Sequence, residues 1–410
     1  ILTIIFVSIT FNLAQSQEVQ DAVRYAQENL VGTARYRSMG GAFGALGGDL
    51  SSLNVNPAGS AIFSNNQLTL TFNSYNTANY FGTKTSNSES NFELNQTGGV
   101  FVFKNRNTSS DWKKFSFAIN YENTNNFDNS VFSAGVNPTN SVDKYFISYA
   151  NGVPLGLIRN SNYSELDNGA QQAYLGYEGY VINPVNELND NNTLYTSNVT
   201  PGGNYYQENY IYSTGYNGKL SFNVATSYRD KFYIGLNLNS HFTDFTRSSS
   251  FYEANKNKLS TDYTVTNLRF NNNLYTYGSG FSFQIGAIAK VTNEIRLGFS
   301  YDSPIWYDLN DEFSQNLTAV SANIAGELPA DVVDPKIINY YAPYEINTPN
   351  KFTGSFAYIF GKNGLISLDY SIKDYSKNEF EPENESYFRE LNSEINNTLT
   401  SSGELRIGGE

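Results

Sequence analysis

One histidine, His241, and no cysteine occur in 410 residues. That rules out a multi-histidine metal centre and any disulfide. His241 beside a serine would be the base of a hydrolase pair, but a lone polar side chain on an inward strand face explains it more simply. The glycine pairs Gly40–Gly41 and Gly47–Gly48 have the flexibility to cradle a phosphate. No Walker-type lysine follows them and no dinucleotide-type strand precedes them. A net charge of -13 argues against a nucleic-acid partner, which needs a basic face. The expectation is therefore a non-enzyme without cofactor or metal. The remaining chemistry-bearing residues are two carboxylates, Asp302 and Asp369, and two guanidiniums, Arg35 and Arg37, which would form ion pairs if one enclosed space brought them together.

The elements that would position these residues are strands. Only 16% of residues are charged, against 32 glycines, 32 tyrosines and 29 phenylalanines, and beyond the N-terminal run no stretch is long and apolar enough for a membrane helix. Several segments instead alternate with period two. In 219–229, Leu220, Phe222, Val224, Thr226 and Tyr228 form one face, and Ser221, Asn223, Ala225 and Ser227 the other. Phe232, Ile234, Leu236, Leu238 and Phe242 oppose Gly235, Asn237, Asn239 and His241 in the next segment, with only Arg229–Lys231 between. This predicts a tight hairpin. The same alternation places Asp302 on the polar face of 295–302 and Asp369 on that of 366–372. In a soluble sandwich the polar face meets water, whereas in a membrane barrel it lines the lumen and the apolar face meets lipid.

Connection lengths favour the barrel. Short ones (105–111, 229–231, 291–294, 361–364) alternate with long ones (126–218, 308–350 and the stretch after Ser376). Short turns on one side and long loops on the other are the outer-membrane pattern. About ten strands are predicted, near 67–81, 95–104, 112–125, 218–229, 231–250, 262–290, 294–307, 350–360, 364–376 and from 403. The long 262–290 segment is read as one strand kinked near Gly278–Gly280. Val100–Phe103 is apolar on both faces, so it is expected to pack against an internal plug. Short helices are predicted at 142–150 and 165–177 within the first long loop. The aromatic residues are expected mainly in interfacial girdles, with a ligand pocket as the second use.

At the N-terminus, Ile1–Leu13 is almost continuously apolar and precedes Ala14-Gln15-Ser16. Residues 1–16 thus read as part of a cleaved signal peptide, lacking its start. Residues 17–66 do not alternate. Val19, Ala22, Ala26 and Leu30 lie at helical spacing, and a glycine-rich run follows from Met39 to Asp49. The run MGGAFGALGGD, followed by NVNPAGSAIF just before the first strand, resembles the hatch of the FadL/TodX family of outer-membrane transporters for hydrophobic compounds. GLISLDYSIKDYS, residues 364–376, looks like a late strand of that family.

The resemblance implies an all-β transmembrane antiparallel barrel of about fourteen strands, plugged by a lumenal hatch at 17–66. The barrel would occupy 67–410, its remaining strands lying beyond Glu410. It also implies a monomeric protein of the cell outer membrane that takes up long-chain fatty acids or other hydrophobic molecules passively. Gly40, Gly41, Phe43, Gly44, Leu46, Asn56, Pro57, Ala58 and Gly59 are the hatch and gate candidates. Arg35, Arg37, Asp302 and Asp369 are the lumen candidates, with pairs between the arginines and the aspartates expected. For Asn56–Gly59 a gate hinge and a plain tight turn remain alternatives. The alternative function is adhesion or binding through the large loops.

Overall fold

The computed structural model describes residues 17–81, 84–107 and 109–410, with side chains of 80–91 also left aside. The signal-peptide expectation at 1–16 lies outside the described residues. We label the longer strands β1 (Gln67–Phe81), β2 (Lys84–Lys104), β3 (Trp112–Asn126), β4 (Asn129–Asn137), β5 (Tyr205–Tyr228) and β6 (Phe232–Ala254). The series continues with β7 (Thr264–Lys290), β8 (Ile295–Asp302), β9 (Trp306–Asn323), β10 (Lys351–Ile359), β11 (Leu365–Asp374) and β12 (Ser401–Gly409). All of them belong to one sheet, and every pairing in it is antiparallel. Neighbours follow chain order, β3 and β4 both pairing with β5, and β8 and β9 both with β7. β8 then pairs with β10, β10 with β11 and β11 with β12.

Burial is inverted relative to a soluble protein. On β11, Ile366, Leu368, Tyr370 and Ile372 are exposed while Ser367, Asp369, Ser371 and Lys373 are buried. On β5 and β6, Phe222, Val224, Ile234 and Leu238 point out, and Ser221, Asn223, Asn237, Asn239 and His241 point in. A sheet with an apolar outer face and a hydrogen-bonded polar inner face is stable only if lipid covers the outside. The chain therefore forms the wall of a transmembrane antiparallel β-barrel, and no helix of the described residues is long and apolar enough to cross a membrane.

Three features differ from the sequence reading. The spans expected as loops, 126–218 and 308–350, carry the long strand extensions Tyr205–Asn217 and Asp308–Asn323. These rise past the apolar belt, where no lipid enforces alternation, so the period-two signal fades. The expected kink at Gly278–Gly280 is absent, since β7 pairs with β6 without a register shift. The break is in the neighbouring column, at Ser303–Ile305 between β8 and β9, where Ser303 exchanges hydrogen bonds with Phe283. Gly278 and Gly280 serve close approach instead, because a Cβ there would lie 2.1 Å from the Asp308 carbonyl and 2.8 Å from that of Trp306. Third, the stretch after Ser376 contains a helix, Ser386–Thr398.

The helices are α1 (Val19–Ala26), α2 (Ala34–Ser38), α3 (Asp143–Ala150), α4 (Leu155–Asn160), α5 (Asn168–Glu178) and α6 (Ser386–Thr398). α3 to α5 form a cap around Phe146, Leu155, Ile158 and Leu175, seated on Leu268, Phe270 and Leu317 of the wall. The α3 N-terminus is held by Glu253 of β6, whose carboxylate accepts from the Val142 amide and the Ser141 hydroxyl. α6 buries Phe388, Leu391 and Ile395, at helical spacing, against Ala22 and Tyr25 of α1 and Tyr307, Leu309 and Phe380.

Candidate functional site

The N-terminal segment lies against the inner face of this wall. α1 starts at a capping box in which the Glu18 amide donates to Asp21, and an Arg24–Asp21 pair at 2.6 Å stays on the same helix. α1 ends at Ala26, so Leu30 lies outside the helix and is partly exposed. Two short 3-10 turns, Leu50–Asn54 and Pro57–Ile62, then lead into β1.

The wall holds the second half of the segment by its backbone. Asn237 donates to the Leu53 carbonyl (2.8 Å), Gln284 to Asn54 and Val55 (3.0 and 3.2 Å), Ser300 to Val55 (2.6 Å) and Asn223 to Pro57 (2.9 Å). Asn56 uses both ends of its amide. Its Oδ1 accepts from the Ala58 amide at 3.1 Å, and its Nδ2 donates to Gly44 of the segment and Ala287 of the wall. The turn fits because the wall has no side chains beneath it. Gly235 and Gly286 are direct cross-strand partners, and a Cβ on them would come within 2.4 Å of Pro57 and 2.1 Å of Asn56 respectively.

The sequence candidates fall in place as follows. Phe43 and Leu46 pack with Tyr36, Met39, Val55 and Ala357, while Leu53 packs with Leu50, Phe63 and Val100, the wall residue expected to meet a plug. Gly40 and Gly41 take positive φ values of 61° and 74°. Pro57, Ala58 and Gly59 form the seated turn, with Ala58 against Ala225, Tyr233 and Ile288. Gly44 donates its amide to Asp369 at 3.0 Å.

The expected pairs between arginines and aspartates do not form. Asp302 pairs with Lys351 at 3.0 Å. Arg35 goes to Glu410 at 2.6 Å and Arg37 to Asn73 at 3.2 Å, because α2 turns them toward the two outermost strands of the sheet, β12 and β1, and away from Asp302.

Between α1, the loop after it and the wall lies a cavity of about 110 Å3, lined by Tyr25, Glu28, Glu122, Lys219, His241, Ser282, Asp302, Tyr307, Lys351, Lys373 and Arg406 among others. One wall carries the row Glu122, Lys219 and His241, which are successive cross-strand partners. Glu122 pairs with Lys219 at 3.4 Å and His241 Nε2 meets Ser282 Oγ at 2.8 Å. The facing wall carries Asp302, Lys351 and Lys373, also successive partners.

Glu28 reaches across to this second row, one oxygen on Lys351 and the other 3.2 Å from Lys373. Lys373 also donates to the Ala26 carbonyl at the end of α1, at 2.6 Å. Sequence reasoning had Asp302 facing inward but missed Glu28, Lys351 and Lys373. Lys373 was within reach, since it continues the inward phase of Ser367, Asp369 and Ser371, but Glu28 lies in a loop with no periodicity to betray it. A second, apolar groove opens beside the cap, lined by Leu166, Ile337, Ile338, Tyr340 and Tyr341.

These features define a class: a transmembrane β-barrel whose N-terminal segment is folded against the lumenal face. The model of an uncharacterised protein family (UPF0164) matches residues 6–85. No curated protein matches the chain. Among solved structures, the chain is similar to the Ralstonia pickettii toluene transporter TbuX, at 13% identity and a TM-score of 0.43, over 93% of this chain and 83% of that one. It is also similar to the CymD monoaromatic hydrocarbon channel (13%, 0.43, 86% and 71%) and to the Pseudomonas putida toluene transporter TodX (12%, 0.40, 87% and 74%).

Proposed function

We propose that the protein is an outer-membrane channel for passive uptake of hydrophobic small molecules, with long-chain fatty acids as the substrate class and the N-terminal segment as a hatch that gates it. The observation that carries this reading is the filled lumen. Between α1 and the wall the segment leaves a cavity of about 110 Å3, and between Asn29–Val31 and the wall a second of about 380 Å3, at the low end of the roughly 300–1,000 Å3 of ligand pockets. A ligand of that size passes only if part of the segment moves. The apolar groove of Leu166, Ile337 and Tyr341 offers a site of first capture.

Uptake of labelled oleate by cells producing the full-length protein tests the proposal. Uptake is expected above that of an empty-vector control and is expected to fall when Gly41–Ala45 is deleted. Equal uptake with and without the protein would remove fatty acid as substrate. A second reading, adhesion through the cap, is favoured by the exposed Val185, Leu188 and Leu194 beside it. It leaves the filled lumen without a purpose.

A further inference from the structure

Above the lipid-facing belt, the outer face of the wall changes character row by row. Leu220, Ser240, Phe281 and Trp306 are successive cross-strand partners on β5, β6, β7 and β9, and this row is still mainly apolar. Two rows higher, the partly exposed rings of Tyr216 and Tyr277 close the belt. The same four strands then continue without a register shift to the row of Glu208 and Arg269, roughly 26 Å further along the strands.

The two middle rows of this extension carry no charge. One is Tyr212, Ser248, Asn273 and Ser314, and the other is Tyr210, Ser250, Asn271 and Asn316. All eight point outward and are half-buried or exposed, and Asn271 donates to Asn316 at 2.8 Å. The nearby charges are already engaged. Arg269, the one cation on the outward positions of these extensions, donates to Ser250 at 2.9 Å and lies 5.0 Å from the Tyr252 ring. The Asp244 and Glu208 carboxylates accept from the Tyr275 and Tyr206 hydroxyls, at 3.0 and 2.7 Å.

A strand face that meets water alone is ordinarily studded with lysine and glutamate, whereas these rows present tyrosine rings among amides and hydroxyls. Such a mixture offers flat apolar faces and adaptable hydrogen bonds together, as recognition surfaces do. The absence of free cations excludes phosphate groups, which need clustered lysine or arginine. A second copy of the chain fits poorly, because the rows lack the apolar centre of a protein interface. An uncharged sugar matches the face: its C–H side stacks on a tyrosine ring and its hydroxyls meet asparagine and serine. The face also runs directly upward from the lipid-covered belt, so whatever is attached to the surrounding lipids stands against it. We infer that the outward face of β5, β6, β7 and β9 above Tyr216 and Tyr277 is a docking surface for the uncharged sugars of outer-leaflet glycolipids. This requires the outer-membrane location but not the uptake function, since the face lies outside the lumen.

The test places the full-length protein in nanodiscs holding equal amounts of two lipopolysaccharides, one with a neutral hexose outer core and one cut back to lipid A and its acidic inner sugars. Mass spectrometry counts the glycolipid retained after detergent extraction. The long form is expected in excess. Tyr210→Ala combined with Tyr212→Ala removes two stacking rings and is expected to cut retention of the long form about tenfold, with the short form unchanged. Tyr212→Phe, which keeps the ring, is expected to keep most of the preference, and heat-modifiable migration on a gel shows which variants are folded. Equal retention of both forms by the native protein overturns the inference, as does a preference that survives the double variant. A dimer that the double variant disperses would overturn it too, by giving the face to a second copy. A protein that carries no oleate but still sorts the two glycolipids would remove the uptake reading and leave this surface standing.

Discussion

Asn56 shows how much one side chain does in holding the segment to the wall. It is 1% exposed, and its amide accepts from Ala58 and donates to Gly44 of the segment and to Ala287 and, at 3.4 Å, Phe299 of the wall. Alanine there would remove these bonds in a dry place, at about 1–3 kcal/mol for each group left unsatisfied. Asn56→Ala is therefore expected to lower the denaturant midpoint of the detergent-solubilised protein, and Asn56→Asp to lower it further by setting a carboxylate against these carbonyl oxygens. An unchanged midpoint would mean that the turn is held by its apolar contacts alone. The Asn-Pro-Ala-Gly run was legible in the sequence as a tight turn or a hinge. Which of the two depends on Asn223, Gln284 and Ala287, between 160 and 240 residues away, and no local spacing encodes those contacts.

Among the elements, β5 to β7 form the seat for that turn. Gly235 and Gly286 leave bare backbone where Pro57 and Asn56 settle. Gly286→Ala would drive a methyl group into the Asn56 side chain, and the backbone of a packed barrel gives little. The variant is expected to lift the turn and admit a small hydrophilic dye that the native protein excludes, measured as dye entry into producing cells. Entry at the native rate would show that the seat tolerates a methyl group.

Strand legibility followed the bilayer. Residues 220–228 and 366–372 were readable because lipid demands an apolar residue at every second position. The upper parts of β5 and β9 were not, because water on their outer face accepts Tyr206, Glu208, Glu312 and Asn316 alike. The helix α6 was missed for a different reason. Its apolar stripe is only Phe388, Leu391 and Ile395, and its partners Ala22 and Phe380 come from two separate parts of the chain.

For the whole molecule, the inverted burial changes where cohesion comes from. The outer face contributes through lipid, and the inner face through hydrogen bonds that wall side chains such as Asn223, Asn237, Gln284 and Ser300 make to the backbone of the N-terminal segment. A wall produced without residues 17–63 is expected to lose its resistance to heat in detergent, and adding that segment as a separate peptide is expected to restore it, read as the shift in gel migration. Equal resistance without the peptide would show that the wall is self-sufficient. The donors of the wall mostly come later in the chain than the carbonyls they bind. A wall that closed before this segment was seated would have to reopen to admit it, so the segment serves as the mould around which the strands close.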